Sequence, residues 1–368
     1  MKDNYVVAVS HIDLAFVIRE EELAELLEIY LERVVNLLER HPDAHFALEQ
    51  ICHYRRLKEV RPHLFQKVKQ LLKEGRLEMM GAMASTMETN FPNGECFVRN
   101  QLMGLKWAEE NLEIRPDSAW LIDTFGINAQ IPQILKQFGF KELFANRFGG
   151  DKRYDLFYAK GLDGSKLLML GRDRYSYNLL PGSQGLVFCR NRNDIDKLFL
   201  QARTLQADWP HLVAYYIENE IPLSEYYMEK VQVLDGQDSN RYRLSSYKEY
   251  IQALRDSDFE APVIWGDLNP EFTGTYGLRN QIHVENRRAE TLLLEADKWT
   301  ALLGCSENNA ELEECWWTMF FNQFHDVFSG SHEDRTYFKV LDRFRFVKDK
   351  AAQALKKAMG CFLSSTFP

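Results

Sequence analysis

The chain holds 368 residues, 54 acidic against 45 basic, for a formal charge of −9. That length suggests about two domains with a core large enough to stand without disulfide or metal staples, and the acidic balance argues against a nucleic-acid partner, which needs a basic surface. Charged residues at 27% and hydrophobic ones at 45% exclude a disordered chain, and no apolar run approaches the roughly 18–20 residues of a membrane span. In chain order, Tyr5 to Val9 reads as a buried strand. Glu20 to Arg40 reads as an amphipathic helix, with Leu23, Leu26, Leu27, Tyr30, Leu31, Val34, Leu37 and Leu38 on one broad face. His45 to Glu49 is a second strand, Pro62 to Glu74 a helix capped by Gly75, Leu77 to Met83 a third strand and Glu95 to Asn111 a helix. Ser118 to Ile122 is a fourth strand, Ile131 to Phe138 a helix ending at Gly139, and Leu143 to Phe148 a fifth strand. Leu156 to Tyr158 and Lys166 to Leu170 form a hairpin around Asp163-Gly164. Asn193 to Leu205 is helical, His211 to Ile217 a strand, and Val263 to Trp265 closes the region. Such alternation predicts parallel strands covered by helices, open or as a barrel.

The pattern changes near Asn280. Gln281 to Leu303, Asn309 to Phe324 and Asp334 to Leu363 are helical with almost no strand signal, which predicts an antiparallel bundle. The boundary falls in Asp267 to Gly277, dividing the chain into 1–270 and 271–368. Six cysteines, Cys52, Cys96, Cys189, Cys305, Cys315 and Cys361, show no Cys-x-x-Cys pair and read as reduced thiols. The apolar stretch after Met1 is too short for a signal-peptide core, so the expected location is cytoplasmic.

Candidate chemistry sits where strands give out, because α/β folds gather ligands at the carboxyl ends of their strands. His11-Ile12-Asp13 follows the first strand at once, and Asp123 ends the apolar run Trp120-Leu121-Ile122. A third candidate is Asn322-Gln323-Phe324-His325-Asp326, at the end of the second bundle helix. Taken together, His11, Asp13, Asp123 and His325 make a two-nitrogen, two-oxygen set that suits a divalent ion such as Zn²⁺. They also supply a reason for the bundle to pack on the mouth of the α/β portion.

These segments resemble the retaining α-mannosidases of glycoside hydrolase family 38. The matches are His-Ile-Asp-Leu-Ala at 11–15, Asp-Thr-Phe-Gly at 123–126 with Ala-Gln-Ile-Pro-Gln-Ile-Leu at 129–135, and Asn-Gln-Phe-His-Asp at 322–326. Weaker matches include Gly81-Ala82-Met83, Glu88-Thr89-Asn90 and Thr273-Gly274-Thr275-Tyr276, all in family order. The resemblance implies a seven-stranded parallel α/β barrel-like domain followed by a three-helix bundle. It implies one Zn²⁺ per chain on His11, Asp13, Asp123 and His325, with Asp123 as nucleophile. Retaining hydrolysis needs a second carboxyl group as acid/base. The strand Leu212 to Ile217 is followed by Glu218-Asn219-Glu220, where the family carries an Asp, so the role falls on Glu218 with Glu220 second. The ion would also bind the cis 2,3-hydroxyls that distinguish mannose from glucose.

Phe16 stands where the family often has Trp, and Ala84-Ser85-Thr86 replaces a segment with an aromatic and an acid. Expected substrate contacts are Phe16, Glu88, Asn90, Arg172, Tyr175, Glu271, Tyr276 and Asp326. The expected partner is an α-mannoside, without nucleic acid or membrane. Family enzymes continue into β-sandwich domains after the bundle, so the chain reads as an N-terminal fragment, and the uncovered docking surface would favour a homo-oligomer. Two readings compete: a non-catalytic sugar-binding fragment, and a hydrolase like the metal-dependent polysaccharide deacetylases. The second lacks the His-x-x-x-His pattern.

Overall fold

The computed structural model describes residues 3–145, 156–170, 186–188, 212–217, 224–234, 241–257, 259–268 and 273–366. Strands β1 (Asp3–Ser10), β2 (Phe46–Glu49), β3 (Leu77–Met80), β8 (Leu186–Phe188), β9 (Leu212–Ile217) and β10 (Arg241–Leu244) form one sheet, in which every pairing is parallel. Its order is β3-β2-β1-β9-β8, with β10 also on β1. The second sheet runs β11 (Val263–Trp265), β6 (Leu156–Lys160), β7 (Lys166–Leu170), β5 (Glu142–Ala145) and β4 (Ser118–Leu121). It is parallel except for the expected β6–β7 hairpin. Helices α1 (Glu20–Arg40), α2 (Ile51–Val60), α3 (Pro62–Lys73), α4 (Gly94–Leu112), α5 (Ile131–Gln137), α6 (Glu225–Leu234) and α7 (Tyr247–Asp256) belong to this α/β portion. Among the described residues the strands make two sheets, and their hydrogen bonds do not trace a closed seven-stranded barrel.

The two-residue period of the strands divides their side chains between two cores. Val6 and Ala8 of β1 face an outer core with α1, α2 and α3, through Leu31, Val34, Tyr54 and Val68. Tyr5, Val7 and Val9 face an inner core that draws on both sheets, with Ala47, Met80, Trp120, Phe144, Leu168 and Leu170. Trp120 and Phe144 stack there at 4.5 Å, and Tyr247 of α7 meets Trp120 edge-on. Burial on both faces is why β1 reads as an unbroken apolar run rather than an alternating one.

Several segments depart from the sequence expectation, and β8, α6, β10 and α7 are elements the sequence reading does not predict. The third strand stops at Met80 rather than Met83, because Gly81 and Ala82 turn into the left-handed region at φ 76° and 47°. A Cβ on Gly81 would lie 2.9 Å from the backbone nitrogen of Trp120, so this turn needs glycine for close approach as well as for conformation. Helix α2 was not expected; it starts after Gln50, whose φ of 63° hides the boundary, and it buries Ile51, Tyr54 and Leu57. The helix expected to reach Phe324 ends at Asn322, where Phe324 turns extended and pairs with Met87. The fifth strand begins at Glu142 and is described to Ala145. The helix expected at Asn193 to Leu205 lies outside the described residues.

After a 3₁₀ turn at Thr273–Gly277 come α8 (Gln281–Leu302), α9 (Asn309–Asn322), the short α10 (His325–Ser329) and α11 (Asp334–Thr366). Helices α8, α9 and α11 pack mutually, and α9 rests on α4. Polar contacts lock that seam. Arg99 of α4 bonds Asp297 and lies over Trp316, whose indole N–H also donates to Asp297 at 2.8 Å. Ser85 donates to the Phe320 carbonyl at 2.6 Å, and the Glu88 N–H to the Gln323 carbonyl at 3.0 Å.

Candidate active site

The carboxyl ends of four consecutive strands, β1 to β4, open onto the seam with the bundle. His11 and Asp13 follow β1, Glu49 ends β2, Thr86 lies on the loop after β3, and Asp123 follows β4. His325 enters from the opposite side, at the break between α9 and α10. The rings of His11 and His325 stack at 5.3 Å with planes 25° apart. Asp13 Oδ1 lies 3.0 Å from His11 Nε2 and 3.7 Å from His325 Nε2. Ligand atoms of His11, Asp123 and His325 fall within 4.8 Å of one another, as do those of Asp13, His325 and Asp326. All four sequence-expected metal ligands therefore meet at one place, and Asp326 joins them. Asp123 has φ 63°, a left-handed conformation costing a non-glycine residue about 1 kcal/mol or more, which Asp tolerates better than most residues.

Each imidazole is anchored through its other nitrogen. His11 Nδ1 donates to Glu49 Oε1, and His325 Nδ1 donates to the Thr86 carbonyl at 2.9 Å. These bonds leave both Nε2 atoms as lone-pair donors facing the cluster. Both are buried and make no hydrogen bond among the described residues. Two imidazole lone pairs beside three carboxyl groups, with Asp13 and Asp326 buried and Asp123 half-buried, are a donor set that fits a divalent cation, because a cation answers this many acceptors at once.

The electrostatics follow the same crowding. Burial opposes charge on His11, yet Glu49 and Asp13 raise it well above its ordinary value. Burial also acts to raise Asp13, but the imidazoles of His11 and His325 hold its carboxyl well below the usual carboxylate range. Asp326 goes the other way: burial pushes it up, and Asp13 and Asp123 add to the rise against the opposing effect of His325.

The expected substrate contacts divide by placement. Phe16 is 36% exposed near the bundle seam, where its carbonyl accepts from the Glu333 N–H at 3.0 Å. Asn90 and Tyr276 both reach the Phe125 carbonyl, at 3.3 and 2.9 Å. Glu88 is fully buried, and its Oε1 accepts from the backbone of Thr89 and Asn90 and from the Asn90 side chain; burial pushes its carboxyl up. Asp326 is buried and accepts from the Ser331 hydroxyl at 2.6 Å. Glu218, Glu220, Arg172, Tyr175 and Glu271 lie outside the described residues. Sequence reasoning passed over Glu49 and the role of Thr86. The rule that selected His11 and Asp123, a polar group where an apolar strand ends, also selects Glu49.

Among the described residues, no helix is long and apolar enough to cross a membrane. Residues 2–267 match the model of the glycosyl hydrolases family 38 N-terminal domain, and residues 271–362 match that of the alpha mannosidase middle domain. The human protein named alpha-mannosidase 2C1 is 27% identical over 333 residues, covering 87% of this chain and 31% of its own length. Alpha-mannosidase G of Dictyostelium discoideum is 24% identical over 345 residues, covering 90% of this chain and 30% of its own. The chain thus spans less than a third of these relatives. An alpha-mannosidase crystal structure from Enterococcus faecalis V583 superposes with a TM-score of 0.84 at 19% identity, over 100% of this chain and 44% of that one. With most of its length matched by the family's own model and its site built at the expected strand ends, the chain belongs to glycosyl hydrolase family 38.

Proposed function

We propose that the chain carries the catalytic core of a retaining α-mannosidase acting on terminal α-linked mannose, with an α-mannoside as its partner. The observation that carries this reading is the convergence of His11, Asp13 and His325 with Asp123, a carboxylate held in an unusual backbone conformation at a strand end. Those four residues would hold one Zn²⁺, which when bound would supply Lewis-acid polarisation of the sugar's hydroxyls and fix its ring. Asp123 attacks the anomeric carbon, forming an ester to the sugar as the glycosidic bond breaks. The leaving oxygen takes its proton from Glu218, or from Glu220, on the segment after β9. Water then cleaves the ester, with the same carboxylate accepting its proton. Asn90, Tyr276, Phe16 and Asp326 line the approach in this reading, with Glu88 holding the Asn90 loop in place.

Two finer architectural readings belong with it. The inner core shared by both sheets, together with the contact between β3 and β4, supports a single barrel-like domain of seven principal strands. The change in pattern and the two family matches support a division at 1–270 and 271–368. A cytoplasmic location accords with Cys52, Cys96 and Cys315 standing in largely apolar surroundings without disulfides. Exposed apolar side chains such as Trp265 and Phe338 would serve self-association.

The test is hydrolysis of an aryl α-mannoside, following the configuration of the released sugar. Retained configuration, loss of turnover with a chelator and recovery with Zn²⁺ are expected. Turnover by a fully metal-stripped protein would overturn the metal reading, and inversion would overturn the role of Asp123.

A further inference from the structure

We propose that Glu49 and Thr86 form one positioning unit that aims both histidines, and so couples metal binding to docking of the bundle. The inference rests on the metal reading above. Glu49 is 1% exposed and takes the Nδ1 proton of His11 on Oε1, while its Oε2 accepts from the Thr86 hydroxyl at 3.0 Å. Thr86, also 1% exposed, offers its carbonyl to His325 Nδ1 at 2.9 Å and to the His325 N–H at 3.3 Å. Its own N–H donates to Gln50 Oε1 at 3.0 Å, and Gln50 Nε2 donates to the Ile12 carbonyl at 2.7 Å, between His11 and Asp13. Thr86 therefore touches the supports of the strand-end ligands with two groups, its hydroxyl and its N–H, and grips the bundle's ligand with its carbonyl. A carboxylate behind one imidazole fixes its tautomer and raises its basicity, and such partners typically contribute 10- to 100-fold to metal affinity. Here the same carboxylate, through one hydroxyl, also holds the loop that orients the second imidazole.

The experiment measures Zn²⁺ affinity by competition with a chromophoric chelator, together with the melting temperature of the metal-free protein. Glu49→Gln keeps an acceptor for His11 and loses the charge; its Kd should rise roughly 10- to 100-fold with the metal-free melting temperature nearly unchanged. Thr86→Val keeps the carbonyl and loses the hydroxyl, and should weaken binding less. Wild-type affinity in Glu49→Gln would overturn the inference, as would equal loss of affinity and metal-free stability. Should the wild-type chain bind no metal, the underlying metal reading fails as well.

A different observation carries a second proposal. The geometry points to a surface site for a thiophilic divalent cation on Cys305, Glu307 and Cys361, whose ligand atoms lie within 4.8 Å of one another. Packing holds the two segments together without an ion. Asn308, buried in the turn between α8 and α9, donates to the Ala354 carbonyl of α11 at 3.2 Å. From there Ala354 and Ala358 continue the buried stripe of α11, and Cys361 follows at helical spacing where the helix is exposed. Ligand atoms around a tetrahedral ion with metal–sulfur bonds of about 2.3 Å stand about 3.8 Å apart, inside the 4.8 Å that spans these three, and water would take the fourth position. Two sulfurs select soft ions such as Cd²⁺ and Zn²⁺. Titrating the reduced full chain with Cd²⁺ should give the ultraviolet thiolate-to-Cd²⁺ charge-transfer band at one equivalent. The band should survive in His325→Ala and vanish in Cys305→Ser and in Cys361→Ser. No band in the reduced wild type, or one that persists in the serine variants, would overturn the site.

Discussion

Strand ends of the α/β portion deliver His11, Asp13 and Asp123 on segments pinned by parallel pairing, whereas the bundle delivers His325 from a break between two helices. The first three are placed by the sheets themselves. His325 depends on a docked interface, through Thr86, Ser85, Glu88 and Arg99. The contrast teaches where the site is strong and where it is vulnerable. In the proposed reading the chemistry would reside in the α/β portion, while completeness of the ligand set would reside in the seam.

The largest expected effect falls on the proposed nucleophile, which is also a proposed metal ligand. Asp123→Asn should lower kcat on an aryl α-mannoside by roughly 10⁴-fold or more while leaving the unfolding midpoint nearly unchanged, as steady-state kinetics and urea melts would check. A variant that kept turnover would break the division between a chemical half and a completing half.

The seam is broken next, from a distance. Gly104 lies inside α4, where alanine would ordinarily favour the helix by about 1 kcal/mol. Here a Cβ would stand 2.2 Å from the Ala82 carbonyl oxygen and 2.8 Å from the Ala84 nitrogen. Gly104→Ala must push the loop after β3 away, and with it Thr86. A loss of about 3 kcal/mol in urea unfolding is expected, with weaker Zn²⁺ uptake. Unchanged stability would show that the helix and loop are not in close register.

The smallest effect sharpens the comparison through pH. His332 follows the bundle's ligand segment; its Nδ1 donates to the Asp326 carbonyl at 3.0 Å, and burial lowers its pKa to about 4. The folded protein thus holds it neutral while the unfolded chain protonates it near 6.5. Its contribution is complete above that pH and is lost as pH falls toward 4, on the order of 3 kcal/mol in all and about 2 kcal/mol by pH 5. Urea melts at pH 7 and pH 5 should differ less in His332→Gln than in the wild type. An equal difference would place the acid sensitivity of the bundle elsewhere.

Much of this was legible in the residues. Period and cap signals marked α1, α3 and the bundle helices to within a few residues, because a helix that buries one face must repeat at 3.6. His11, Asp13 and Asp123 stood out because an apolar strand that ends in a polar group is a local pattern. Helix α2 and the break at Phe324 were not legible, since positive φ at Gln50 and the pairing of Phe324 with Met87 are settled by neighbours far along the chain. The position of Glu49 at a strand end was legible, but its role was hidden for a related reason. Its role is set by His11, 38 residues away, and by Thr86.

The sequence by itself determined the strand-and-helix alternation, the change to a bundle and the identity of four donors, because each is written in local periodicity or residue type. Only the tertiary structure decided that those donors share one point, which nitrogen of each imidazole faces it, and that a buried carboxylate and one threonine hold both rings. Those are matters of distance and direction between segments that local pattern does not encode, and they follow from how two sheets, an inner core and a docked bundle fill space together.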